Sequence, residues 1–153
     1  MALHHFNNKG YCHRDIKPQN LLLDCNFNLI LADFGHATSL SGENNDLKLT
    51  GWIGSLPYMA PEICMRQSSI LGIPADLFSS AVLLYICMTG KLCFQKAHPK
   101  EDERYKHFSR NTPEKFWAEN EKAHDMEFSM EFKDLLNSML SLNETSRPSI
   151  PEI

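Results

Sequence analysis

Two short runs of apolar residues, Leu21–Leu23 and Leu29–Leu31, stand near the start of the chain. The residues between them, Asp24–Asn28, include the Asp and Asn side chains that are common in tight turns. Short apolar runs bounded by turn residues are typical of two hairpin strands. The pattern therefore predicts a hairpin that returns the chain, so that the residues on either side of it lie close together.

Two longer apolar patterns predict helices. Pro74 opens and Gly90 closes a stretch, roughly Ala75 to Thr89, that is apolar on nearly every face. A helix of this kind is normally surrounded by protein, so we expect it to be central. Farther along the chain, apolar residues recur at helical spacing and predict an amphipathic helix that docks on the core: Phe132, Leu135, Leu136, Met139, Leu140 and the more marginal Leu142.

The remaining stretches are more polar. His36–Ile53 is polar and irregular, which predicts a mobile loop. In Phe94–Asp125 charged residues alternate with aromatic ones, which predicts surface helix and loop. With 153 residues, of which 42% are hydrophobic, the chain suits one domain with a core of its own. The predicted architecture is mainly α, with one short β-hairpin.

Charge and cysteine content narrow the classes of partner. The chain has 15 Lys and Arg against 19 Asp and Glu, a net charge of −4, which disfavours a general binder of nucleic acid or anionic membranes but leaves room for a local basic patch. Five scattered cysteines without a Cys-x-x-Cys pair predict reduced thiols in a cytosolic or nuclear protein. The N-terminus lacks a signal-peptide pattern, and the longest apolar stretch, Ala81–Met88, is far shorter than the roughly 20 residues that span a bilayer.

The residues that point to chemistry flank the predicted hairpin. Asp15 and Asn20 precede it, and Asp33 follows it. Phosphoryl transfer from ATP needs one carboxylate to orient the attacking hydroxyl, and oxygen ligands such as Asn and Asp to hold Mg²⁺. Because the hairpin returns the chain, Asn20 and Asp33 are expected at the same end of it, next to Asp15.

These residues stand in two motifs that resemble the catalytic and metal-binding loops of eukaryotic protein kinases. The motifs are His13-Arg14-Asp15-Ile16-Lys17-Pro18-Gln19-Asn20 and Asp33-Phe34-Gly35. The resemblance continues with Gly54–Glu62, which looks like a substrate-binding loop and its closing Ala-Pro-Glu. Asp76 is similar to the Asp at the start of the family's central helix. Arg147 stands where the family has the Arg that pairs with Glu62, an arrangement that can be bidentate.

The resemblance implies a role for each polar residue of the site. Asp15 would accept the proton of a substrate hydroxyl, and Lys17 would stabilise the charge of the transferring phosphoryl group. Asn20 and Asp33 would hold Mg²⁺ on ATP. Ser55 occupies the position where many serine/threonine kinases have a Thr that contacts this Asp and Lys. The alternatives are a structural loop Asp, a solvated surface Lys, an Asx-turn Asn and an ordinary turn Ser.

Other implied roles are structural and regulatory. His13 and Phe34 would join a hydrophobic stack, and Gly35 would let the backbone move between states. The resemblance implies that Arg14 repels other cations until a phosphate on the following segment neutralises it. Thr50, five residues before Ser55, is the best-placed acceptor for an upstream activating kinase. Weaker candidate acceptors are Thr38, Ser39 and Ser41.

Some positions depart from the family or narrow the class within it. Phe78 and Ala81 replace the usual Trp and Gly of the central helix, and Cys93 stands where Pro is common. None of these changes removes a catalytic group. Lys17 resembles the serine/threonine class more than the tyrosine class. The pattern of Phe94–Asp125 loosely resembles calcium/calmodulin-dependent kinases.

The resemblance implies that residues 1–153 are a partial kinase domain, the C-terminal lobe of an enzyme that is α+β as a whole. The family's Gly-rich loop, strand Lys and helix Glu belong upstream of Asp15, where only fourteen residues stand. We expect a fragment of a protein serine/threonine kinase that uses ATP and Mg²⁺ on a protein substrate. The alternatives are a catalytically silent binding or scaffold module and a degenerate, unfolded product. Intact Asp15, Lys17 and Asn20 favour the first.

Overall fold

The computed structural model describes residues 2–40, 46–47 and 53–153, and helices provide most of their regular structure. The helices and strands follow one another in this order: α1 (Ala2–Asn8), β1 (Tyr11–Cys12), β2 (Leu21–Leu23), β3 (Leu29–Leu31), β4 (Thr38–Ser39), β5 (Asp46–Leu47), α2 (Pro61–Cys64), β6 (Ile70–Leu71), α3 (Gly72–Thr89), α4 (Lys106–Ser109), α5 (Pro113–His124) and α6 (Met130–Met139). Short 3₁₀ turns lie between them, among them Phe34–His36 and Leu56–Tyr58.

Strands β2 and β3 form an antiparallel hairpin with Leu21 opposite Leu31 and Leu23 opposite Leu29. Its turn is held by the Asp24 carboxylate, which accepts hydrogen bonds from the backbone N–H groups of Asn26 and Asn28, each at 2.8 Å. An Asp side chain that bonds to the following backbone is a common turn device. The hairpin therefore returns the chain.

The segment from His36 to Ile53 was predicted as an irregular mobile loop, and its described residues include two short strands. Strand β4 pairs antiparallel with β1, and β5 pairs antiparallel with β6. Backbone hydrogen bonding does not depend on an alternating apolar pattern, so these two-residue strands left no trace in the sequence. Ser41 and Thr50, two of the predicted phosphate acceptors, lie outside the described residues.

Helix α3 begins at Gly72, three residues before the predicted start, because Pro74 fits within the first turn, where its missing N–H needs no partner. The helix ends at Gly90, whose φ of 68° is the left-handed conformation that glycine adopts readily. The prediction that protein surrounds it is wrong in part, since Leu84 and Met88 are 39% and 52% exposed.

Among the described residues, α3 is the one helix long and apolar enough to cross a membrane by length and composition. Half of its residues are buried inside the fold, and one of these is the charged Asp76. A core helix of a folded domain has this composition. Its side chains Phe78, Ala81, Val82 and Tyr85 are fully buried in the largest apolar cluster of the described residues.

The segment from Phe94 to Asp125, predicted as surface helix and loop, contributes heavily to the core. Phe94, Tyr105, Phe116 and Trp117 are all buried. Their rings pack on α3, with Tyr105 and Phe78 centroids 6.0 Å apart. Glu101, Glu103 and Glu114 between these rings are exposed, whereas Asp102 is buried, so the alternation that suggested a surface segment describes only its outer face. Helix α6 is amphipathic as predicted, with Leu136 and Met139 buried.

Candidate active site

Asp15, Lys17, Asn20 and Ser55 meet in one hydrogen-bonded cluster. The Lys17 Nζ lies 2.5 Å from Asp15 Oδ2, and the Ser55 hydroxyl donates to Asp15 Oδ1 at 2.9 Å. Lys17 Nζ also donates to Ser55 Oγ at 2.9 Å. The Asn20 amide donates to the Asp15 backbone oxygen at 2.8 Å and to its Oδ2 at 3.2 Å. Both carboxylate oxygens of Asp15, which is only 4% exposed, are thus oriented.

These contacts decide the charge of Asp15. Burial alone would raise the pKa of its carboxyl group, but hydrogen bonds from Lys17 and Ser55, with the Lys17 charge, lower the pKa below its ordinary value. Asp15 is therefore ionised at neutral pH. An ionised carboxylate with a low pKa orients a hydroxyl by accepting its hydrogen bond and takes the proton only late in a reaction.

Asp33 follows β3 at the open end of the hairpin, where Asn20 also lies, and the neighbouring backbone of Ala32 is held there. The N–H of Ala32 donates to the Asn20 backbone oxygen at 2.9 Å, and the ring Nε2 of His13 lies 3.0 Å from the Ala32 oxygen. Asp33 has a φ of 60°, a left-handed conformation that is uncommon for a residue with a side chain. Its exposed carboxylate accepts the Gly35 N–H at 3.2 Å through Oδ1.

Gly35 approaches the Asp33 side chain closely. Its own φ is not in the left-handed region, whereas that of Asp33 is. A Cβ at Gly35 would lie 3.1 Å from Asp33 Oδ1, closer than most such contacts. A larger residue at this position would therefore make the Asp33 carboxylate shift by a few tenths of an ångström.

Asn20 and Asp33 each keep an oxygen of the kind that binds magnesium. The Nδ2 of Asn20 is used on Asp15, which leaves its Oδ1 as a ligand atom, and the second oxygen of Asp33 has no protein hydrogen bond among the described residues. No group of three or more His, Cys, Asp or Glu side chains converges anywhere among the residues that the structure describes. Mg²⁺ suits such a sparse oxygen set because it keeps water and phosphate as its other ligands.

The rings of His13 and Phe34 lie in contact, with centroids 5.3 Å apart. Phe6 of α1 extends the stack to Phe34 at 5.1 Å and to Tyr11 at 5.5 Å. His13 is fully buried, whereas Phe34 is 50% exposed. The stack joins the turn after Asp33 to the strand before Asp15.

Arg14 occupies a strained and incompletely satisfied position. Its φ is 70°, and its backbone N–H donates to Asp76 Oδ1 at 2.8 Å. The Nε and Nη2 atoms of its guanidinium are buried without a hydrogen-bond partner in the described structure. Burial is the main cause that lowers its pKa. Buried donors without partners are costly, so these atoms favour an acceptor from outside the described residues.

The loop Gly54–Glu62 is fixed by two residues whose roles the sequence did not reveal. Gly54 has a φ of 111°, and a Cβ there would lie 2.6 Å from the Arg14 backbone oxygen, so no other residue fits. The Ser79 hydroxyl on α3 donates to the Tyr58 backbone oxygen at 2.8 Å. A serine within an apolar helix carries no signal of such a distant partner.

Glu62 and Arg147 form a buried, two-point ion pair. Nη1 and Nη2 of Arg147 each lie 2.7 Å from one oxygen of Glu62, and its Nε donates to the Ser141 oxygen at 3.1 Å. The guanidinium lies over the ring of Phe78, 5.0 Å from its centroid. Phe78, which departs from the family's usual Trp, therefore retains an aromatic face for this cation.

Comparisons with known proteins agree with this geometry. The family model described as "Protein kinase domain" matches residues 1–153. The serine/threonine-protein kinase CHK1 of Mycosarcoma maydis is 43% identical over 89 residues, which cover 58% of this chain and 13% of that protein. The 3-phosphoinositide-dependent protein kinase B of Dictyostelium discoideum is 34% identical over 155 residues, covering 100% of this chain and 16% of that protein. The CBL-interacting protein kinase 11 of Oryza sativa subsp. japonica is 34% identical over 152 residues, covering 99% and 28%.

The chain spans less than a third of the length of each of these relatives. Within that span it carries the Asp15–Lys17–Asn20–Ser55 cluster, and the family model covers the whole of it. The chain belongs to the eukaryotic protein kinase family, and CHK1 of Mycosarcoma maydis, one of its relatives, is named a serine/threonine-protein kinase.

Proposed function

We propose that this chain provides the phosphoryl-transfer site of a protein serine/threonine kinase, in the form of a kinase C-terminal lobe whose β2–β3 hairpin carries the catalytic and metal-binding loops. The hydrogen bond from the Ser55 hydroxyl to Asp15 carries this proposal. It is the contact that a substrate serine or threonine would make with the same carboxylate.

In the proposed reaction the substrate hydroxyl oxygen forms a bond to the γ-phosphorus of ATP, the bond to the bridging oxygen breaks, and ADP leaves. Mg²⁺ would neutralise charge on the phosphates, held by Asn20 Oδ1 and the Asp33 carboxylate. Asp15 orients the hydroxyl and receives its proton. Lys17, 2.5 Å from Asp15, places a positive charge beside the transferred group.

The test uses the purified chain with radiolabelled ATP and peptides that offer Ser, Thr or Tyr. Asp15→Asn is expected to lower transfer to Ser and Thr by about 10²–10⁴-fold without weakening the binding of Mg-ATP. Asp33→Asn keeps a residue that tolerates the left-handed backbone and should weaken Mg²⁺-dependent nucleotide binding. Asp134→Asn, an exposed change on α6, is the control. Equal transfer by the chain and Asp15→Asn would refute the proposal.

A second candidate is a binding module without catalysis, and an apolar groove favours it. The groove, about 400 Å³, is lined by Leu3, Ile16, Leu21, Leu31 and Leu83 among others. Leu22 and Leu23 beside it are 53% and 63% exposed. Apolar surface of this kind suits a protein partner. Unchanged protein binding in a chain that binds no Mg-ATP would favour this candidate over the first.

We also propose that Arg14 receives a phosphate that an upstream kinase places on the segment before Ser55. The partnerless Nε and Nη2 atoms of Arg14 support this role, and Thr50 is the acceptor that the sequence favours. Mass spectrometry of active protein tests it, since full activity with unmodified Thr50 would contradict it.

We propose a cytosolic or nuclear location from the free cysteines.

A further inference from the structure

A hollow of about 320 Å³ lies where the end of α5 meets the loop after α3, far in sequence from the cluster around Asp15. We call it the Arg104 hollow. It is lined by Lys91, Arg104, Glu119, Asn120, Ala123 and His124. Basic side chains from three separate segments face it, and none of them has a role in the proposed phosphoryl transfer.

Arg104 is fixed in this hollow by neutral acceptors. Its Nη1 donates to the Leu92 backbone oxygen at 3.1 Å, and its Nη2 contacts the Tyr85 hydroxyl oxygen at 3.4 Å and the Asn120 Oδ1. Its guanidinium lies 5.6 Å from the Phe116 ring centroid. No carboxylate lies within ion-pair distance of Arg104 in the described part of the chain, so its charge is held in place without a counter-ion.

The other charges at the hollow leave a positive excess. No described carboxylate pairs with Lys91, which is exposed and free to reach into the hollow. Glu119 is the one acid among the lining residues, and its Oε1 lies 3.7 Å from His107 on α4. Two permanent cations and a titratable His124 therefore face one carboxylate.

We propose that the Arg104 hollow binds a tetrahedral dianionic oxyanion, such as a phosphate group, between Lys91, Arg104 and His124. A planar guanidinium already fixed by three hydrogen bonds loses little freedom when it binds a phosphate. A dianion balances both permanent cations, whereas a carboxylate balances one. Either inorganic phosphate or a phosphorylated side chain can supply this group.

The protonation of His124 is coupled to this binding. The Tyr85 hydroxyl donates to Asn120 Oδ1 at 2.6 Å, so its oxygen accepts from the N–H at His124 Nε2, 3.3 Å away. With one proton on Nε2, the neutral ring becomes charged when Nδ1 takes up a proton. The charged groups that act on the ring are Lys91 and Arg104 from other segments, and Glu119 of α5 lines the same hollow.

Burial, then Lys91, then Arg104 lower the pKa of His124 below its ordinary 6.5. A bound dianion offsets both cations and raises this pKa. Protonation and anion binding therefore strengthen each other, and the affinity must rise as the pH falls through the pKa of His124.

The experiment titrates the 153-residue chain with sulfate and follows backbone amide NMR shifts at the hollow. Sulfate stays dianionic over the pH range, so its affinity reports the protein alone. Lys91→Gln is expected to weaken sulfate binding by about threefold to tenfold, since an exposed charge contributes modestly. Lys122→Gln, with the same charge change at an exposed α5 position outside the lining, should leave the affinity unchanged.

His124→Gln should retain sulfate binding near pH 7.5 but lose the increase seen toward pH 5.5 in the unmodified chain. Amide spectra of each variant establish that it is folded. The proposal is overturned if sulfate does not bind, or if Lys91→Gln and Lys122→Gln weaken binding equally, because net charge alone would then explain the effect.

Inorganic phosphate, a phosphoserine peptide and its unphosphorylated form then identify the source. Tighter binding of the phosphoserine peptide than of inorganic phosphate, lost in Lys91→Gln, would support a phosphorylated protein partner. Equal binding of phosphate and the phosphopeptide, with none of the unphosphorylated peptide, would support a site for the free ion.

Discussion

The carboxylate of Asp76 accepts a hydrogen bond from the backbone N–H of His13 at 2.6 Å, across 63 residues of sequence. Its other oxygen accepts the N–H of Arg14 at 2.8 Å. Burial raises the pKa of Asp76 to about 6, and these two donors oppose a larger rise. The start of α3 thus sets the backbone that presents Asp15.

Replacing Asp76 should destabilise the fold because the two backbone donors have no other partner. Asp76→Ala is expected to lower the free energy of unfolding by about 2–4 kcal/mol, and Asp76→Asn by less, since one oxygen remains. Urea unfolding near pH 7.5, where Asp76 is ionised, measures both. Asp134→Asn should change stability by less than about 0.5 kcal/mol. Equal stability of Asp76→Ala and the unmodified chain would contradict this role.

Breaking the Glu62–Arg147 pair should lower the free energy of unfolding more than replacing both residues with apolar ones. Arg147→Ala leaves a buried, unpaired carboxylate, so we expect a loss of about 3–5 kcal/mol in unfolding free energy. A double change of Glu62→Leu with Arg147→Met removes both charges and should cost less than Arg147→Ala. Lys133→Ala, which breaks the more exposed pair with Glu121, should cost less than about 1 kcal/mol. A double variant less stable than Arg147→Ala would argue against a charge effect.

Substitutions at Ser55 test whether the hydrogen bond from its hydroxyl to Asp15 matters for the proposed reaction. Ser55→Ala removes the hydrogen bonds to both Asp15 and Lys17. Because Asp15 is then less well oriented, we expect the activation free energy to rise by about 1.4 kcal/mol and kcat to fall about tenfold. Ser55→Thr keeps the hydroxyl and should stay within about threefold of the unmodified chain. Peptide phosphorylation measures both. Identical rates for the Ala and Thr variants would show that the hydroxyl has no part in catalysis.

The low pKa of Asp15 predicts how the free energy of unfolding depends on pH in acid. Its folded pKa lies below the ordinary 3.8, so its contacts contribute full stability above pH 3.8 and lose that contribution as the pH falls through the folded value. Ser55→Ala weakens one of these contacts. The difference in unfolding free energy between Ser55→Ala and the unmodified chain should therefore be constant from pH 5 to 7 and shrink below about pH 3.8. A difference that grows with acid would contradict this sign.

Thiol reactivity should separate exposed from buried cysteines. Cys25 and Cys87 are exposed, while Cys12, Cys64 and Cys93 are buried. Burial raises the pKa of Cys12 to about 12 and that of Cys64 to about 11, which removes their reactive thiolate. A thiol reagent at pH 8 should modify Cys25 and Cys87 rapidly and the others only after denaturation. Mass spectrometry of the modified peptides checks the assignment, and fast labelling of Cys12 would contradict it.

Local patterns predicted the elements that depend on local interactions. The β2–β3 hairpin follows from apolar runs around a turn with one Asp and two Asn, and the α6 helix follows from apolar spacing that its Ser129 cap supports. Both were predicted at nearly their observed positions. The segment containing Phe116 and Trp117 was assigned to the surface, because whether an aromatic ring is buried depends on which helix lies against it.

The sequence by itself determined the chemical identity of the site, because Asp15, Lys17, Asn20 and Asp33 stand in two short motifs that specify donors, acceptors and order. Only the tertiary structure decided which atoms meet. The hydroxyl of Ser55 reaches Asp15 across 40 residues, and Ser79 holds Tyr58 across 21. The tertiary structure also places Lys91, Arg104 and His124 around one hollow. Such contacts arise from the packing of distant segments around α3, and a side chain in the sequence gives no sign of the partner that packing brings to it.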